Sequence, residues 1–337
     1  MEKEDHLSNE ISVSADLTKT GLKASARSRT LSALDRLCGG IIDIGNAHLE
    51  GFATRRRAKT EGEVILIEAA AQYGVHKMGY DSAFAERAFD NQYKKTLKLQ
   101  ANKDAVFQGA IEDLRNNPVS EEEDNSGPQE LNEEFLDRFE RYAEDASTED
   151  LQRRWSKILA GEIRKPGTFS RKIMRSVDEL EADAAILFSK LVSYQLEGVL
   201  FISLMSELSF DEMLILTQSG LVVDPGLGHH REFLELTMGD GSKLWGLPFG
   251  ERGLSIPTNI NEYKLDDSVL INIGGKPVVP ILVLTELAKA LCSIIDSKNY
   301  DIAKLYFDKL LPIFGAEKIH FYDIDTQTMQ WTRDLSI

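Results

Sequence analysis

Apolar residues recur every three or four positions through the first third of the chain, the spacing of one helix face. The pattern predicts long helices over residues 13–115, after a disordered tail at residues 1–12. The first stripe crosses Gly39-Gly40, which we expect to bend or end the helix. It consists of Leu31, Leu34, Leu37, Ile41 and Ile44.

Residues 116–129 break this pattern with two prolines, a glycine and four consecutive acids, and we interpret them as a linker. Helical spacing returns over residues 130–196, which predicts a central helical module. Its clearest helix opens at the capping sequence Ser147-Thr-Glu-Asp. The same helix stops at Lys165-Pro166-Gly167, because proline cannot donate a hydrogen bond and glycine tolerates positive φ.

Short alternating segments separated by glycine turns begin after residue 196. They predict a small α+β domain over residues 197–337 that resembles a winged helix in outline, and thus a mainly α-helical protein overall. The clearest hairpin joins Val269–Ile273 to Val278–Val283 through Gly274-Gly275. Other strands are predicted at 221–223, 233–237, 244–247 and 318–322, with helices at 210–219, 285–295 and 300–314.

Charge is distributed unevenly along the chain, whose net charge is −16. Residues 1–116 are neutral, whereas residues 117–337 carry 38 acidic and 22 basic side chains. This excess disfavours non-specific binding to nucleic acid. No apolar run is long enough to span a bilayer, and the polar start does not resemble a secretion signal. We therefore expect a cytoplasmic protein.

Motifs of known chemistry are scarce, so we predict no cofactor, metal or catalytic residues. The sequence contains no phosphate-binding loop and no zinc-type spacing of Cys or His. His229-His230, with Glu232 and Glu235, resembles a ligand cluster but is more typical of a polar loop. Cys38 and Cys292 are expected to be structural thiols within apolar helices.

One basic run, from Arg55 through Arg56 and Arg57 to Lys59, follows the first apolar stripe. It is most typical of a solvated helix turn. Two alternatives remain open: contact with an anionic membrane surface and contact with nucleic acid.

The segment from Leu151 to Phe188 has the most distinctive sequence in the chain. A buried role is expected for Trp155, whose large ring favours a core position, and Glu162 is expected to fix the turn through an ion pair with Arg164, Arg171 or Arg175. The alternative is a ligand pocket around Glu162, Ser170 and Arg171. The marked residues are Trp155, Gly161, Glu162, Pro166, Gly167, Phe169, Ser170 and Arg171.

These residues resemble a bacterial family of unknown function whose motif is Trp-x-x-[Ile/Leu]-Leu-Ala-Gly-Glu-Ile followed by Pro-Gly-[Ser/Thr]-Phe-Ser. The motif is also similar, more distantly, to abortive-infection proteins of the Abi-alpha type. That resemblance implies a role in defence against phage, without implying any chemistry.

We therefore expect a non-enzymatic interaction or sensor protein that forms homo-oligomers through its long helices. Its protein partner would come from phage or from a neighbouring gene. One alternative is a nucleic-acid-binding regulator that uses the C-terminal domain. Another is a metal-dependent nuclease assembled on oligomerisation, with Asp323 and Asp325 as the candidate carboxylates.

Overall fold

The computed structural model describes residues 24–38, 82–125, 127–226, 228–239, 241–298, 300–325, 328 and 330–333. The chain divides into two compact units, Met1–Met174 and Arg175–Ile337. The first described unit is helical and the second combines helices with strands. This confirms the predicted fold class, mainly helical with an α+β C-terminal domain. No helix in these ranges is long and apolar enough to cross a membrane.

Helices of the first unit pack around the C-terminal half of α2. The residues that α2 buries there recur at helical spacing: Val106, Phe107, Ala110, Ile111 and Leu114. Helices α1, α4 and α5 all contact α2. The helices are α1 (Ala24–Cys38), α2 (Ser82–Asn116), α3 (Glu121–Asp124), α4 (Glu133–Asp145) and α5 (Glu149–Arg164), followed by α6 (Arg171–Asp178), which spans the boundary between the units.

Local sequence signals set the ends of several of these helices. Thr148, one residue beyond the expected Ser147, caps α5 by accepting the N–H of Leu151. The segment predicted as a linker contains α3, which has a reciprocal capping box between Ser120 and Glu123. The four acids that suggested a linker therefore form one helical turn.

Two antiparallel sheets lie in the second unit. One has the strand order β1-β2-β8-β3, with β7 also paired to β8, and the other has the order β10-β9-β6-β5-β4. The strands are β1 (Gln195–Leu196), β2 (Val199–Phe201), β3 (His229–Glu232), β4 (Leu234–Thr237), β5 (Lys243–Phe249), β6 (Arg252–Pro257), β7 (Ile271–Ile273), β8 (Lys276–Val283), β9 (His320–Asp325) and β10 (Gln330–Arg333). The predicted glycine hairpin is confirmed, since Ile273 pairs with Lys276 across Gly274-Gly275.

A shared apolar core joins both sheets to the last helix. Phe201 and Phe249 stack with ring centroids 5.4 Å apart, and each lies 5.9 Å from the ring of Tyr306. The buried Tyr306 hydroxyl donates to the Val269 carbonyl over 2.8 Å, which satisfies its polar group. The unit's helices are α7 (Ala182–Leu191), α8 (Phe210–Gln218), α9 (Glu286–Cys292) and α10 (Ile302–Phe314).

Candidate functional site

Glu162 lies near the end of α5 and is 3% exposed. Its Oε1 accepts the N–H of Gly167 at 2.6 Å, and its Oε2 accepts the N–H of Phe169 at 2.9 Å. Gly167 has a φ of 87°, a conformation that suits glycine and lets the chain turn back toward the helix. The carboxylate thus holds the Pro166-Gly167 turn against α5.

The buried guanidinium of Arg29, from α1, completes this arrangement. It donates to the carbonyls of Ile163 at 2.9 Å and Arg164 at 3.1 Å, the last residues of α5. It also donates to the Pro128 carbonyl at 2.9 Å. Because carbonyls at a helix C-terminus lack helical partners and carry partial negative charge, Arg29 both caps α5 and offsets its dipole. We call Glu162, Arg29 and the 166–169 turn the buried polar centre.

Burial and hydrogen bonding act in opposite directions on Glu162. Burial is the largest influence and raises the pKa of this carboxyl group, while the N–H groups of Gly167, Phe169 and Thr168 and the charge of Arg29 lower it. The same burial lowers the pKa of Arg29. Both carboxylate oxygens already accept hydrogen bonds inside the protein, so this arrangement is suited to holding a turn.

The arginines that the sequence offered as partners of Glu162 have other contacts. Arg164 pairs with Asp113 and donates to the Asn117 carbonyl at 3.0 Å, near the end of α2. Arg171 lies 3.9 Å from Glu134, and Arg175 lies 2.9 Å from Glu179. Glu162 therefore contacts the turn through backbone N–H groups, and the nearby positive charge that acts on it is Arg29 of α1.

The alternative, a ligand pocket around Glu162, Ser170 and Arg171, does not form in the structure, since Ser170 and Arg171 are exposed whereas Glu162 is enclosed. The Ser170 hydroxyl instead accepts the N–H of Ile173 at 3.4 Å, at the start of α6. The physical reason is that the 166–169 backbone occupies both oxygens of Glu162.

Trp155 occupies the aromatic centre of the first unit and is 2% exposed. Its ring stacks on Tyr142 with centroids 4.4 Å apart and meets Phe139 edge-on at 5.9 Å. Gly161 and Phe169, also marked by the motif, are buried. These three motif residues therefore lie in the packed interior of the first unit.

A close approach between α2 and α5 was not predicted from the sequence. A Cβ at Gly109 would collide with the Ser156 hydroxyl and lie 3.0 Å from its Cβ. The Ser156 hydroxyl oxygen lies 2.8 Å from the Val106 carbonyl of α2. A glycine facing a small hydroxyl residue thus lets the two helices meet.

In contrast to the buried C-terminal half of α2, its N-terminal half presents a long exposed helix surface. Among the described side chains of residues 87–98, all except Ala88 are exposed. Tyr93 and Leu97, one helical turn apart, are 57% and 52% exposed. Four basic residues and one acid give this stretch a net charge of +3. We call residues 87–98 the exposed half of α2.

The predicted histidine cluster is only partly brought together. His229, His230 and Glu232 lie on β3 and line a pocket, whereas Glu235 lies on β4 and pairs with Lys243. Across the described ranges, no group of three or more His, Cys, Asp and Glu side chains is arranged to hold a metal ion.

The remaining candidates from the sequence are two aspartates, a cysteine and the basic run. Asp323 and Asp325 are exposed on β9, where strand alternation places both on the same face. Burial raises the pKa of the Cys292 thiol to about 12, which suits a structural cysteine. The basic run Arg55, Arg56, Arg57 and Lys59 lies outside the described residues.

Residues 86–199 match the model of a family described as a protein of unknown function (DUF2806). The match covers about a third of the chain, including the buried polar centre's turn and Trp155, and supports a family of unknown function for this region. No curated protein and no solved structure matches the chain.

Proposed function

We propose that this is a non-enzymatic, cytoplasmic interaction protein that self-associates through the exposed half of α2. One observation carries the proposal: a single helix is buried along its C-terminal half and exposed along residues 87–98. Most helical stability in proteins comes from packing of one face, and residues 87–98 have little such packing within the described part of the chain, so a partner would stabilise them. Leu97, which is 52% exposed, provides an apolar contact for such a partner.

Charge complementarity supports a second copy as the partner. The exposed half of α2 is basic, whereas the segment from Glu121 to Asp150 holds 13 acids and two arginines. Opposite charges on separate surfaces of one chain favour a heterologous contact, in which the basic surface of one copy meets the acidic surface of the next. Such contacts close into rings when the rotation between copies permits.

The proposed setting of this association is defence against phage. The support is the resemblance of the Trp155–Ser170 motif to abortive-infection proteins of the Abi-alpha type. In this proposal the assembly recognises a protein from phage or from a neighbouring gene, and recognition depends on self-association.

Self-association is tested with Leu97→Gln, using light scattering to measure the mass of the full chain. We expect an oligomer for the wild type and a shift toward the monomer for Leu97→Gln. Ile186→Gln is the matched control, because Ile186 is 58% exposed but lies on α7. Raised salt should also weaken the oligomer, since charge contributes to the contact.

A monomeric wild type at every concentration would overturn the proposal. If the Tm of Leu97→Gln were then lower than that of the wild type, the exposed half of α2 would be packing against another part of the same chain. Nuclease-resistant nucleic acid that co-purifies, seen as absorbance at 260 nm, would favour the regulator alternative. For the defence role, phage plating on cells carrying Leu97→Gln should rise to the level of cells lacking the protein.

A further inference from the structure

A pocket of about 390 Å³ opens beside β3, at one edge of the first sheet. This size lies within the range of small-molecule sites, roughly 300–1,000 Å³. The pocket belongs to the second unit and lies beyond the region that matches the family model. It is therefore a separate feature from both the buried polar centre and the exposed half of α2.

Aliphatic side chains form one part of the lining. They are contributed by β7 and β8: Ile273, Val278, Ile281 and Val283. Ile273 is 49% exposed, which is unusual for an isoleucine in a strand and leaves apolar surface in contact with water. A hydrocarbon group that covered this lining would gain free energy by removing that surface from water.

Nitrogen donors form the polar part of the lining: His229, His230 and Lys276, beside one acid, Glu232. The Nζ of Lys276 lies 3.5 Å from the Glu232 carboxylate, and both side chains are more than half exposed, so this pair is weak. The Nδ1 of His229 is buried and has no hydrogen-bond partner within the described part of the chain. That atom is closed off from solvent, and the pairing of His229 with Ile281 places its side chain on the opposite face of the sheet from Lys276, so the donor available to a ligand is Lys276.

We propose that this pocket binds a small monocarboxylic acid with an aliphatic body. The aliphatic chain would lie against Ile273 and Val278, and the carboxylate would accept hydrogen bonds from Lys276 and from His230, which the strand pairing places on the same face. An alcohol of the same length would gain only the apolar contact, because it brings no charge to Lys276. An amine of the same length should bind weakly, because the pocket would offer it the same donors and a single acceptor, Glu232, which Lys276 already contacts.

The test compares octanoate with octan-1-ol on the full chain, by NMR titration. We expect saturable binding of octanoate, with octan-1-ol binding roughly tenfold more weakly because it lacks the charge-assisted contact. Lys276→Met keeps most of the apolar side chain but removes its charge. This variant should therefore bind octanoate only as tightly as the wild type binds octan-1-ol. Lys243→Met is the matched control, since Lys243 is similarly exposed and pairs with Glu235 outside the pocket.

Ile273→Ser supplies a second, independent check. Because Ile273 is half-exposed, this substitution should leave the fold intact and weaken octanoate and octan-1-ol alike. The proposal is overturned if octanoate shows no saturable binding at millimolar concentration, or if Lys276→Met and Lys243→Met reduce its affinity equally. It is also overturned if octan-1-ol binds the wild type as tightly as octanoate does.

Discussion

The buried polar centre and the β3 pocket both combine charged side chains with apolar surroundings, but they satisfy their polar groups differently. At the buried polar centre, the carboxylate oxygens of Glu162 and the guanidinium of Arg29 all have protein partners. At the pocket, the ammonium of Lys276 has a long, exposed contact with the carboxylate of Glu232. The first arrangement is complete as a structural element, whereas the second can still accept a ligand.

This difference separates stability from binding in physical terms. A buried ionic group that is fully hydrogen-bonded is costly to disrupt, because removing one partner strands the other. Exposed ion pairs contribute little to stability, so the residues that form them can be used for binding. Substitutions at the two places should therefore have opposite profiles: large losses of stability at the first, and losses of affinity alone at the second.

The largest effect is expected from Glu162→Ala. It leaves the N–H groups of Gly167 and Phe169 without acceptors and removes one of the two negative charges, those of Asp124 and Glu162, that act on Arg29, so the free energy of unfolding should fall by about 3–5 kcal/mol. Arg29→Ala should cost a similar amount, because it uncaps α5 and isolates Glu162. Urea unfolding followed by far-UV circular dichroism measures both values.

Glu162→Gln is the control for charge at the same volume. Its amide oxygen can still accept one N–H, so the loss should be smaller than for alanine. Losses within about 0.5 kcal/mol for both Glu162→Ala and Arg29→Ala, the range of ordinary surface substitutions, would show that the buried polar centre does not hold the turn.

The pH dependence of the free energy of unfolding, compared between the wild type and Glu162→Gln, tests the environment of Glu162. Its pKa in the folded protein lies above the ordinary value of 4.5, so the folded state holds this proton more tightly than the unfolded state does. Its titration therefore adds stability at pH values below 4.5, and this contribution disappears as the pH rises through the raised pKa. The wild type should gain stability relative to Glu162→Gln on acidification. A change in the opposite direction would show that hydrogen bonds outweigh burial.

A smaller loss is expected where α2 meets α5. Gly109→Ala places a methyl group against Ser156 and should cost about 1–3 kcal/mol, the range for overpacking. Adding Ser156→Ala removes the colliding hydroxyl and should recover part of the loss. A double-mutant cycle measures the coupling, and strictly additive losses would show that the two side chains do not compete for space.

Much of the first unit follows from local sequence signals. The Lys165-Pro166-Gly167 stop of α5 is confirmed, and its capping region was located to within one residue. The partnership of Arg29 with α5 was not predicted, because the arginine lies 134 residues before Ile163 and spacing reveals only neighbours along a helix. The four consecutive acids at 121–124 form a helical turn despite their like charges, and Ser120 caps this turn.

The second unit shows a different limit. Its glycine hairpin has a strong local signal, but β3 reads His-His-Arg-Glu and lacks the apolar alternation that predicts a strand. Pairing with the apolar β8 holds β3 in place, so the strand depends on tertiary context. The pocket was missed for the same reason, since residues of β3 and β8 meet only after the sheet forms. His229 and His230 stand out in the sequence, but the aliphatic residues that line the pocket beside them lie about 50 residues further along the chain.

The smallest effect on stability is expected at the pocket itself. Because the Lys276–Glu232 pair is long and exposed, Lys276→Met should change the free energy of unfolding by no more than about 0.5 kcal/mol. Lys243→Met should behave the same way, although only Lys276→Met is expected to impair octanoate binding. A loss near 2 kcal/mol for Lys276→Met alone would mean that this lysine supports the β7–β8 hairpin. The distinction between the buried polar centre and the β3 pocket would then be wrong, because charged side chains would stabilise the fold at both.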